Sequence, residues 1–416
     1  MKELFAVFLR IGLLSFGGPA GQIALLHKEL VEERQWLSEK EFLAALNFCM
    51  LLPGPEAMQL ATYSGWKRGG VAGGLIAGLL FVLPGAAVIL ALSVLYHLLG
   101  NVPVITAMFW GLKAAVLAIV LEALVKVARR ALHSTADWLT AAIAFLALFV
   151  FALPFPLVIA VAAIVGYLQG GAASGSADNV TRPSLAATLR TIGVWLAIWL
   201  VPLALLHLAC GPDDILSQLG RMFSLLAVVT FGGAYAVLTS LGQTVVEQMH
   251  WLTTREMMDA LALAETTPGP LILVGQFVGF TAAAKSDGML MGGVASLVFL
   301  WTTFAPCFLW IFAGAPWISY LQSRPRLATA LHRISAAVVG VILNLSLWFG
   351  FHVIFAEASR LPGPIPVWWP KLSTFDAAAL ILAAAAAAAL LWLKLGIPKT
   401  LALAAAAGLL WRLVFA

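Results

Sequence analysis

Apolar residues follow one another along most of this chain, and polar residues gather in short stretches between the apolar runs. The runs over 71–99, 184–210 and 373–415 are continuously apolar and rich in Leu and Ala. They lack the alternation of polar and apolar residues that marks the strands of a membrane barrel. Each run is long enough to cross a bilayer as a helix. We therefore predict an all-α polytopic membrane protein.

The apolar segments are of two kinds. Four of them are interrupted by Gly and Pro, near 4–26, 39–66, 222–241 and 254–284. The others predict continuous helices near 71–99, 103–126, 136–153, 154–170, 184–210, 288–321, 326–355, 373–394 and 397–415. Pro cannot continue a helix smoothly and Gly readily leaves one, so the interruptions predict discontinuous helices or re-entrant hairpins. Both alternatives keep the number of crossings in each half even, and the sequence leaves them open.

The interruptions carry motifs that occur twice. Phe16-Gly17-Gly18, Trp36-Leu37 and Pro53-Gly54-Pro55 return 215 residues later as Phe231-Gly232-Gly233, Trp251-Leu252 and Pro268-Gly269-Pro270. Further along, Pro84 and Pro103 match Pro306 and Pro325 at an offset of 222. We therefore predict a first repeat over residues 1–170, a linker with one extra helix over 171–215, and a second repeat over 216–416.

Basic residues predict how the two repeats are oriented, because short loops rich in Lys and Arg stay in the cytoplasm. The loop with Lys126, Arg129 and Arg130 should be cytoplasmic, and the uncharged stretch 101–111 should lie outside. The counterpart of that stretch in the second repeat is basic and should lie inside. The repeats are therefore expected to be inverted, the extra helix near 184–210 reversing the second one. The N-terminus is then cytoplasmic.

Inverted repeats with interrupted helices are typical of secondary transporters, whose binding site lies where the breaks meet. A helix that restarts after a break offers unpaired amides and a positive dipole end, which favour an anion. We take an oxyanion as the expected substrate; the alternative is that Gly and Pro here serve only helix packing and kinks. The candidate binding residues are Ser15, Gly17, Gly18, Gln22, Gly54, Gln59, Thr62, Tyr63, Lys113, Gly232, Gly233 and Gly269.

Three charged residues near the breaks or within the helices are further candidates for anion binding or proton coupling. Lys113 falls near mid-depth of its helix, where it could neutralise a bound anion or form a structural ion pair with a carboxylate. Glu56 follows Pro55, and it is either a helix cap or a proton-coupling group that competes with the anion. Glu265 is the second repeat's acid nearest its break. The repeats are not equivalent here, since Glu56 and Gln59 correspond to Leu271 and Val274.

Composition narrows the function further. The chain is 62% hydrophobic and 10% charged, with a net charge of +5. The basic excess is explained by loop orientation, so nucleic acid is not expected as a partner. The sequence has no nucleotide-binding P-loop, redox motif or metal cluster, and its three cysteines are widely spaced. We therefore expect no cofactor, and an ion gradient as the source of energy.

The motifs resemble those of the chromate ion transporter family in its long two-domain form. The resemblance rests on Ser15-Phe16-Gly17-Gly18-Pro19, on the tract from Leu51 to Tyr63 around Pro-Gly-Pro, and on Thr266-Thr267-Pro268-Gly269-Pro270. It implies export of chromate across the inner membrane, which confers chromate resistance. Sulfate and related oxyanions remain alternative substrates. The expected partners are such an oxyanion and membrane lipids, and a homodimer is left open.

Two other classes of protein compete with a coupled transporter. An anion channel would use the same helix ends but would give uncoupled flux without titration of Glu56. A lipid flippase would have a lateral groove and would tolerate neutral substitutions at Lys113. An enzyme such as a chromate reductase is disfavoured, because no redox centre is recognisable in the sequence.

Overall fold

The computed structural model describes residues 1–16, 18–50, 52–100, 102–171, 183–229, 238, 241–318, 325–360 and 368–415. The described α-helices are α1 (Lys2–Leu14), α2 (Gly18–His27), α3 (Glu39–Cys49), α4 (Glu56–Leu99), α5 (Pro103–Ala131), α6 (Thr135–Phe149), α7 (Phe155–Gln169), α8 (Leu185–Cys210), α9 (Ile215–Val229), α10 (Thr254–Thr266), α11 (Val274–Asp287), α12 (Met289–Gly314), α13 (Pro325–Ile354), α14 (Ala377–Leu391) and α15 (Ile397–Phe415). Two strands, β1 (Ala358–Arg360) and β2 (Trp368–Pro370), pair antiparallel. Short π-helical turns occupy Lys28–Glu33 and Gln243–Gln248, and 3₁₀ turns occupy Leu271–Leu273, Ala315–Trp317 and Leu372–Thr374.

The predicted fold class is confirmed. Within the described part of the chain, six helices are long and apolar enough to cross a membrane, namely α4, α5, α8, α12, α13 and α15. Exposed Leu, Val or Trp side chains lie on α4, α5, α8, α12 and α15, as expected where the surrounding solvent is lipid. The protein is therefore a polytopic helical membrane protein.

The chain forms two compact units. One unit takes in α1 to α3, α4 as far as Val94, and α8, α9, α11 and α12. The other begins at Leu95 and takes in the end of α4 with α5, α6, α7, α10, α13, α14 and α15. Each unit draws on both halves of the sequence, so neither corresponds to one sequence repeat.

Details of local geometry recur at the offset of 215. The two π-helical turns begin at Lys28 and Gln243, and each ends before a residue with positive φ, Gln35 or His250. Ser38 and Glu41 form a capping box at the start of α3. Thr253 and Glu256 exchange the same two hydrogen bonds before α10, at 2.8 and 3.2 Å. The same short-range chemistry therefore begins the helix before each Pro-Gly-Pro motif.

In the first unit, α3 and the start of α4 form a helical hairpin. The α3 helix has 11 residues, about 16 Å at the usual rise, which is too short for a bilayer core of about 30 Å. Pro53-Gly54-Pro55 lies between the two helices, and at the open end Lys67 Nζ lies 3.4 Å from Glu41 Oε1. Non-helical backbone at Gly69 and Gly70 then turns α4 into its long spanning part.

The helices α1 and α2 fold back in the same way. Each is short, with 13 and 10 residues. After α2 the chain returns along α1, because Glu29 lies 3.5 Å from Arg10 and the ring of Trp36 lies 6.3 Å from that of Phe8. The break after Leu14 is therefore the tip of a hairpin and not a kink within a spanning helix.

The long part of α4 and the helix α12 run antiparallel against each other in the first unit. A Cβ atom on Gly74 would fall 2.6 Å from Phe312 Cε1, and one on Gly78 would fall 2.6 Å from Phe308 Cε1. Residues further along α4 therefore contact residues earlier in α12, which shows that the two helices are antiparallel. Glycine at both positions lets the rings lie directly on the α4 backbone.

In the second unit α5 is central, and α10, α14 and α15 pack against it. Its contact with α15 is made by small residues, since a Cβ on Gly111 would fall 3.1 Å from Gly408 Cα. The indole of Trp110 donates to Asp376 at the start of α14, at 3.1 Å. Close backbone approach of this kind is the usual way in which helices associate within lipid.

A buried carboxylate joins α6 to α13 in the second unit. Asp137 Oδ2 accepts from the amide and hydroxyl of Ser134 at 2.9 and 2.8 Å, and from the amide of His133 at 3.1 Å. Its Oδ1 accepts from Arg333 at 2.7 Å and lies 2.9 Å from His332 Nε2. The Asp137 side chain is 2% exposed, so five polar contacts replace its hydration.

Asp137→Ala is expected to lower the thermal stability of the solubilised protein, because it leaves Arg333 and His332 without their carboxylate. Removal of one partner of a buried ion pair costs about 3–5 kcal/mol. The melting temperature followed by tryptophan fluorescence tests this. Glu357→Gln is the control: it removes an exposed pair with Lys371, which contributes about 0–1 kcal/mol. Equal melting temperatures for the two variants would contradict the assignment.

Candidate functional site

In the first unit, a break of the first repeat meets a break of the second. The amide of Gly269 donates to both the carbonyl and the hydroxyl of Ser15, each at 3.0 Å. Gln22 Nε2 donates to the carbonyl of Gly269 at 2.6 Å and to that of Ser15 at 3.3 Å. Both Ser15 and Gln22 are buried. Backbone groups freed by the two breaks are thus satisfied by each other, as a site away from water requires.

Glycine is required where these segments meet. Gly269 has a φ of +92°, a conformation that side chains rarely adopt. A Cβ on Gly269 would also fall 3.3 Å from Gly85 Cα, and one on Gly85 would fall 3.0 Å from the carbonyl carbon of Pro268. The Pro-Gly-Pro turn of the second repeat therefore lies directly on the α4 backbone.

The first repeat's Pro-Gly-Pro turn lies against α12. Gly54 has a φ of +111°, and a Cβ there would fall 2.8 Å from Cys307 Sγ. This contact is the counterpart of the previous one, because Cys307 follows Gly85 by 222 residues and Gly269 follows Gly54 by 215. Each Pro-Gly-Pro turn is therefore seated on the spanning helix of the other repeat.

Gln59 leaves one polar atom unused at this place. Its Nε2 donates to the carbonyl of Pro53 at 2.7 Å. Its Oε1 is buried and has no hydrogen-bond partner. Because α4 begins at Glu56, its first-turn amides also have no partner within the helix. This end of α4 can therefore offer amide donors and one acceptor to a ligand.

The other predicted residues of the first repeat are placed as follows. Thr62 Oγ1 donates to the carbonyl of Met58 at 3.0 Å, which uses its proton within α4. Tyr63 is buried, with its ring 6.0 Å from that of Trp66. Glu56 is half-buried, and among the described residues no cationic side chain lies within ion-pair distance of it. Gly18 opens α2 with a φ of +65°.

Three predicted glycines, Gly17, Gly232 and Gly233, lie outside the described residues. Glu265 is described and lies buried near the end of α10 in the second unit.

In the second unit Lys113 is paired with a carboxylate. Its Nζ lies 2.8 Å from Asp259 Oδ1, and the side chains are 15% and 1% exposed. Tyr96 Oη donates to Asp259 Oδ2 at 2.7 Å. Arg255 Nε lies 3.9 Å from the same oxygen, and its Nη2 donates to Thr106 Oγ1 at 2.8 Å. We call these five residues the Asp259 cluster.

Asp259 and Tyr96 are not among the residues predicted from the sequence. The available signal was Asp259 itself, an acid within α10 nine residues before Pro268. The pairing with Lys113 joins residues far apart in the chain, and no local pattern shows it.

An apolar groove of about 540 Å³ opens on the side of the first unit. Exposed Leu83, Leu290 and Leu297 lie along it, together with the polar residues Gln276 and Ser296. Gln276 Nε2 donates to the carbonyl of Ala86 at 3.1 Å, whereas Gln276 Oε1 and Ser296 Oγ are buried without a hydrogen-bond partner. A lateral groove is the feature expected of a lipid-handling protein.

Comparison with known proteins decides the family. The model of the chromate transporter family matches residues 2–167 and 217–410, which is most of the chain. The chain belongs to the chromate transporter family. Within this family it is 33% identical over 342 residues to the chromate transport protein of Pseudomonas aeruginosa, covering 82% of this chain and 79% of that protein.

Two further relatives have similar coverage. The chromate transport protein of Cupriavidus metallidurans is 28% identical over 360 residues, covering 82% of this chain and 80% of that protein. The probable chromate transport protein of Synechococcus elongatus is 28% identical over 352 residues, with 84% of each chain covered. No solved structure matches the chain. The family match includes both copies of the repeated motifs. The three relatives are named as transport proteins and not as enzymes.

Gly269→Ala is expected to abolish chromate transport and to lower stability, because a side chain there is strained and presses on Gly85. Left-handed backbone alone costs about 1–2 kcal/mol. Gly211→Ala is the matched control, since Gly211 has a φ of +88° but open space around it. Transport of radiolabelled chromate by reconstituted protein measures the difference. If both variants keep the same activity, the contact between the two breaks is not needed for transport.

Proposed function

We propose that this chain is a secondary active transporter that exports chromate from the cytoplasm across the inner membrane, coupled to a proton or other ion gradient, and so confers chromate resistance. One observation carries the proposal: in the first unit the first repeat's break at Ser15 meets the second repeat's break at Gly269, and the first repeat's Pro-Gly-Pro turn, which precedes the start of α4 and the buried acceptor of Gln59, lies on α12. Breaks of two repeats that meet are expected at an alternating-access site, which supports the proposal. The names of the relatives support chromate as the substrate.

Inverted repeats are part of the proposal. The spanning part of α4 and the helix α12 are equivalent at the offset of 222, and they run antiparallel. Each begins at a glycine with positive φ, Gly70 or Gly288, that follows a short helix. Because antiparallel helices begin at opposite ends, this supports entry of the two repeats from opposite sides of the membrane. The basic loops support a cytoplasmic N-terminus.

The oxyanion is proposed to bind at the start of α4. Amides of its first turn and the positive end of its dipole favour negative charge there. Ser15 and Gln22 are engaged by Gly269, so we assign them to holding the breaks together. Glu56 lies at the same helix end and repels an anion when ionised. We propose that Glu56 takes up a proton when the anion arrives and releases it when the anion leaves. The proton and the anion then move together, and the inside-negative membrane potential drives the remaining negative charge of chromate outward.

Lipid transport is a second candidate function, favoured by the apolar groove with Gln276 and Ser296 along it. A lipid could place its chain against the exposed leucines and a polar group against the two unpaired atoms. A lipid transporter would not transport chromate, and its activity would not depend on the charge of Lys113. Chromate flux therefore separates the two functions.

Chromate flux in proteoliposomes tests the proposal. With purified protein and an imposed pH gradient or membrane potential, radiolabelled chromate should move against its own gradient and sulfate should compete. Glu56→Gln should abolish the gradient-driven accumulation because the carboxylate can no longer titrate, and Lys113→Ala should reduce flux at least tenfold, about 1.4 kcal/mol. Flux that only follows the chromate gradient would indicate a channel. No chromate flux by folded protein would refute the substrate.

Labelling from one side of the membrane tests the inversion. In a Cys210→Ser background, Arg68→Cys and Asp287→Cys place single accessible thiols just before the spanning part of α4 and just before α12. Cys49 and Cys307 are buried and should stay unlabelled. A membrane-impermeant maleimide added to intact cells should label Asp287→Cys and leave Arg68→Cys unlabelled until lysis. Labelling of both thiols from the same side would show that the repeats are parallel.

A further inference from the structure

We propose that Lys113, Tyr96 and Arg255 form an oxyanion-binding site in which the carboxylate of Asp259 occupies the place of the anion, so that anion binding displaces Asp259 and is accompanied by proton uptake on it. The inference rests on the proposed function and adds a second titrating carboxylate besides Glu56.

Three donor groups from three helices converge on this one carboxylate. Lys113 comes from α5, Tyr96 from the end of α4 and Arg255 from α10, within the second unit. Lys113 Nζ lies 2.8 Å from Asp259 Oδ1 in an ion pair. Tyr96 donates to Oδ2 at 2.7 Å, and Arg255 Nε lies 3.9 Å from the same oxygen. A tetrahedral oxyanion presents oxygens to which the same ammonium, hydroxyl and guanidinium groups can donate. The carboxylate of Asp259 is thus an internal substitute for such an anion.

The repeat argues against a purely structural role for the pair. The residue equivalent to Lys113 in the second repeat is Ser335, and the residue equivalent to Asp259 in the first repeat is Ala44. The same local fold is therefore specified without this ion pair at the related place. Buried ion pairs often contribute little net stability, because the desolvation of both charges offsets their attraction. A costly pair present in one repeat only is better explained by binding.

The cluster is open at one end. The side chain of Arg255 is 50% exposed, whereas that of Lys113 is 15% exposed and that of Asp259 is 1% exposed. Arg255 also donates to Thr106, near the start of α5. Lys113 lies seven residues further along α5, about 10 Å deeper at the usual rise. An anion at this end lies nearest Arg255 at the surface and Lys113 at greater depth, and both side chains attract it.

Displacement of Asp259 requires a proton. A buried carboxylate that has lost its cation is strongly destabilised unless it becomes neutral. Among the described residues, the charged and titratable groups that face it are Lys113, Tyr96, Arg255 and, one turn away on α10, Glu256. Glu256 is held by the capping box through Thr253. The proton is taken from solvent onto an Asp259 oxygen, no covalent bond otherwise changes, and acid pH therefore favours anion binding.

Equilibrium binding to the full-length protein in lipid nanodiscs tests this, with radiolabelled chromate and then sulfate as probes. Wild-type affinity should rise as the pH falls from about 9 to about 5, by at most about tenfold per pH unit for one coupled proton. A pH indicator should report protons taken up with the anion. Asp259→Asn should bind chromate with an affinity that depends less on pH, and more tightly than wild type at high pH. Lys113→Met should lose at least tenfold in affinity.

Two further variants keep the test decisive. Asp376→Asn removes another carboxylate of the second unit and should keep the wild-type pH dependence. Tyr96→Phe removes one hydrogen bond to the ionised Asp259 but keeps Lys113, so the pH dependence should shift to higher pH even if Asp259→Asn does not fold.

Two results would overturn the inference. One is an unchanged pH dependence in Asp259→Asn or, where that variant does not fold, in Tyr96→Phe. The other is a folded Asp259→Asn that binds no anion, which would make Asp259 a structural partner of Lys113. Neither result changes chromate binding and flux by the wild-type protein, so the proposed function would stand. A wild-type protein that binds no oxyanion at any pH would refute both.

Discussion

The fold depends on one constraint, that a helix interrupted within a membrane must still satisfy its backbone polar groups. Each unpaired group there costs several kcal/mol, because no bulk water replaces the lost hydrogen bond. The amide of Gly269 meets this requirement with two oxygens of Ser15, and the carbonyl of Gly269 does so with Gln22. Neither break is complete by itself. The partner of each break is another break, and this draws the two halves of the sequence into one unit.

The repeats share this scaffold but differ where chemistry is proposed. Both Pro-Gly-Pro turns rest on a spanning helix, through Gly54 with Cys307 and Gly269 with Gly85. In contrast, Phe308 and Phe312, which pack on α4, correspond to Ala86 and Leu90 at the offset of 222. The smaller side chains leave open the groove along which Ala86 and Leu90 lie. The equivalent glycines therefore allow the same close packing in both repeats, whereas side chains that differ between the repeats form the groove in one repeat only.

Within the described residues, the sequence predicted the helices and their breaks well, because these depend on local physics. Apolar runs, Pro, positive-φ glycines and capping boxes act within a few residues, and the constant offset made each of them visible twice. Other features depend on contacts between distant segments. The sequence did not show that α3 folds back on the start of α4, which the contact of Glu41 with Lys67 shows. The partner of Lys113 is Asp259 in the other half of the chain, and periodicity carries no information about that pairing.

The buried side-chain oxygens without a hydrogen-bond partner restrict which hydrogen-bonding groups a ligand can carry more than the nearby charges do. The amide orientations of Gln59 and Gln276 are fixed, because each Nε2 donates to a backbone carbonyl, of Pro53 or Ala86. Each leaves a buried Oε1 that can only accept a hydrogen bond. A bare anion offers no donor to such an atom and is repelled by it. A protonated oxyanion, or one that keeps part of its water shell, can donate to Gln59 while it accepts from the amides of α4. The buried acceptor Gln59 Oε1 therefore favours an oxyanion that can donate a hydrogen bond, either from its own proton or from a bound water.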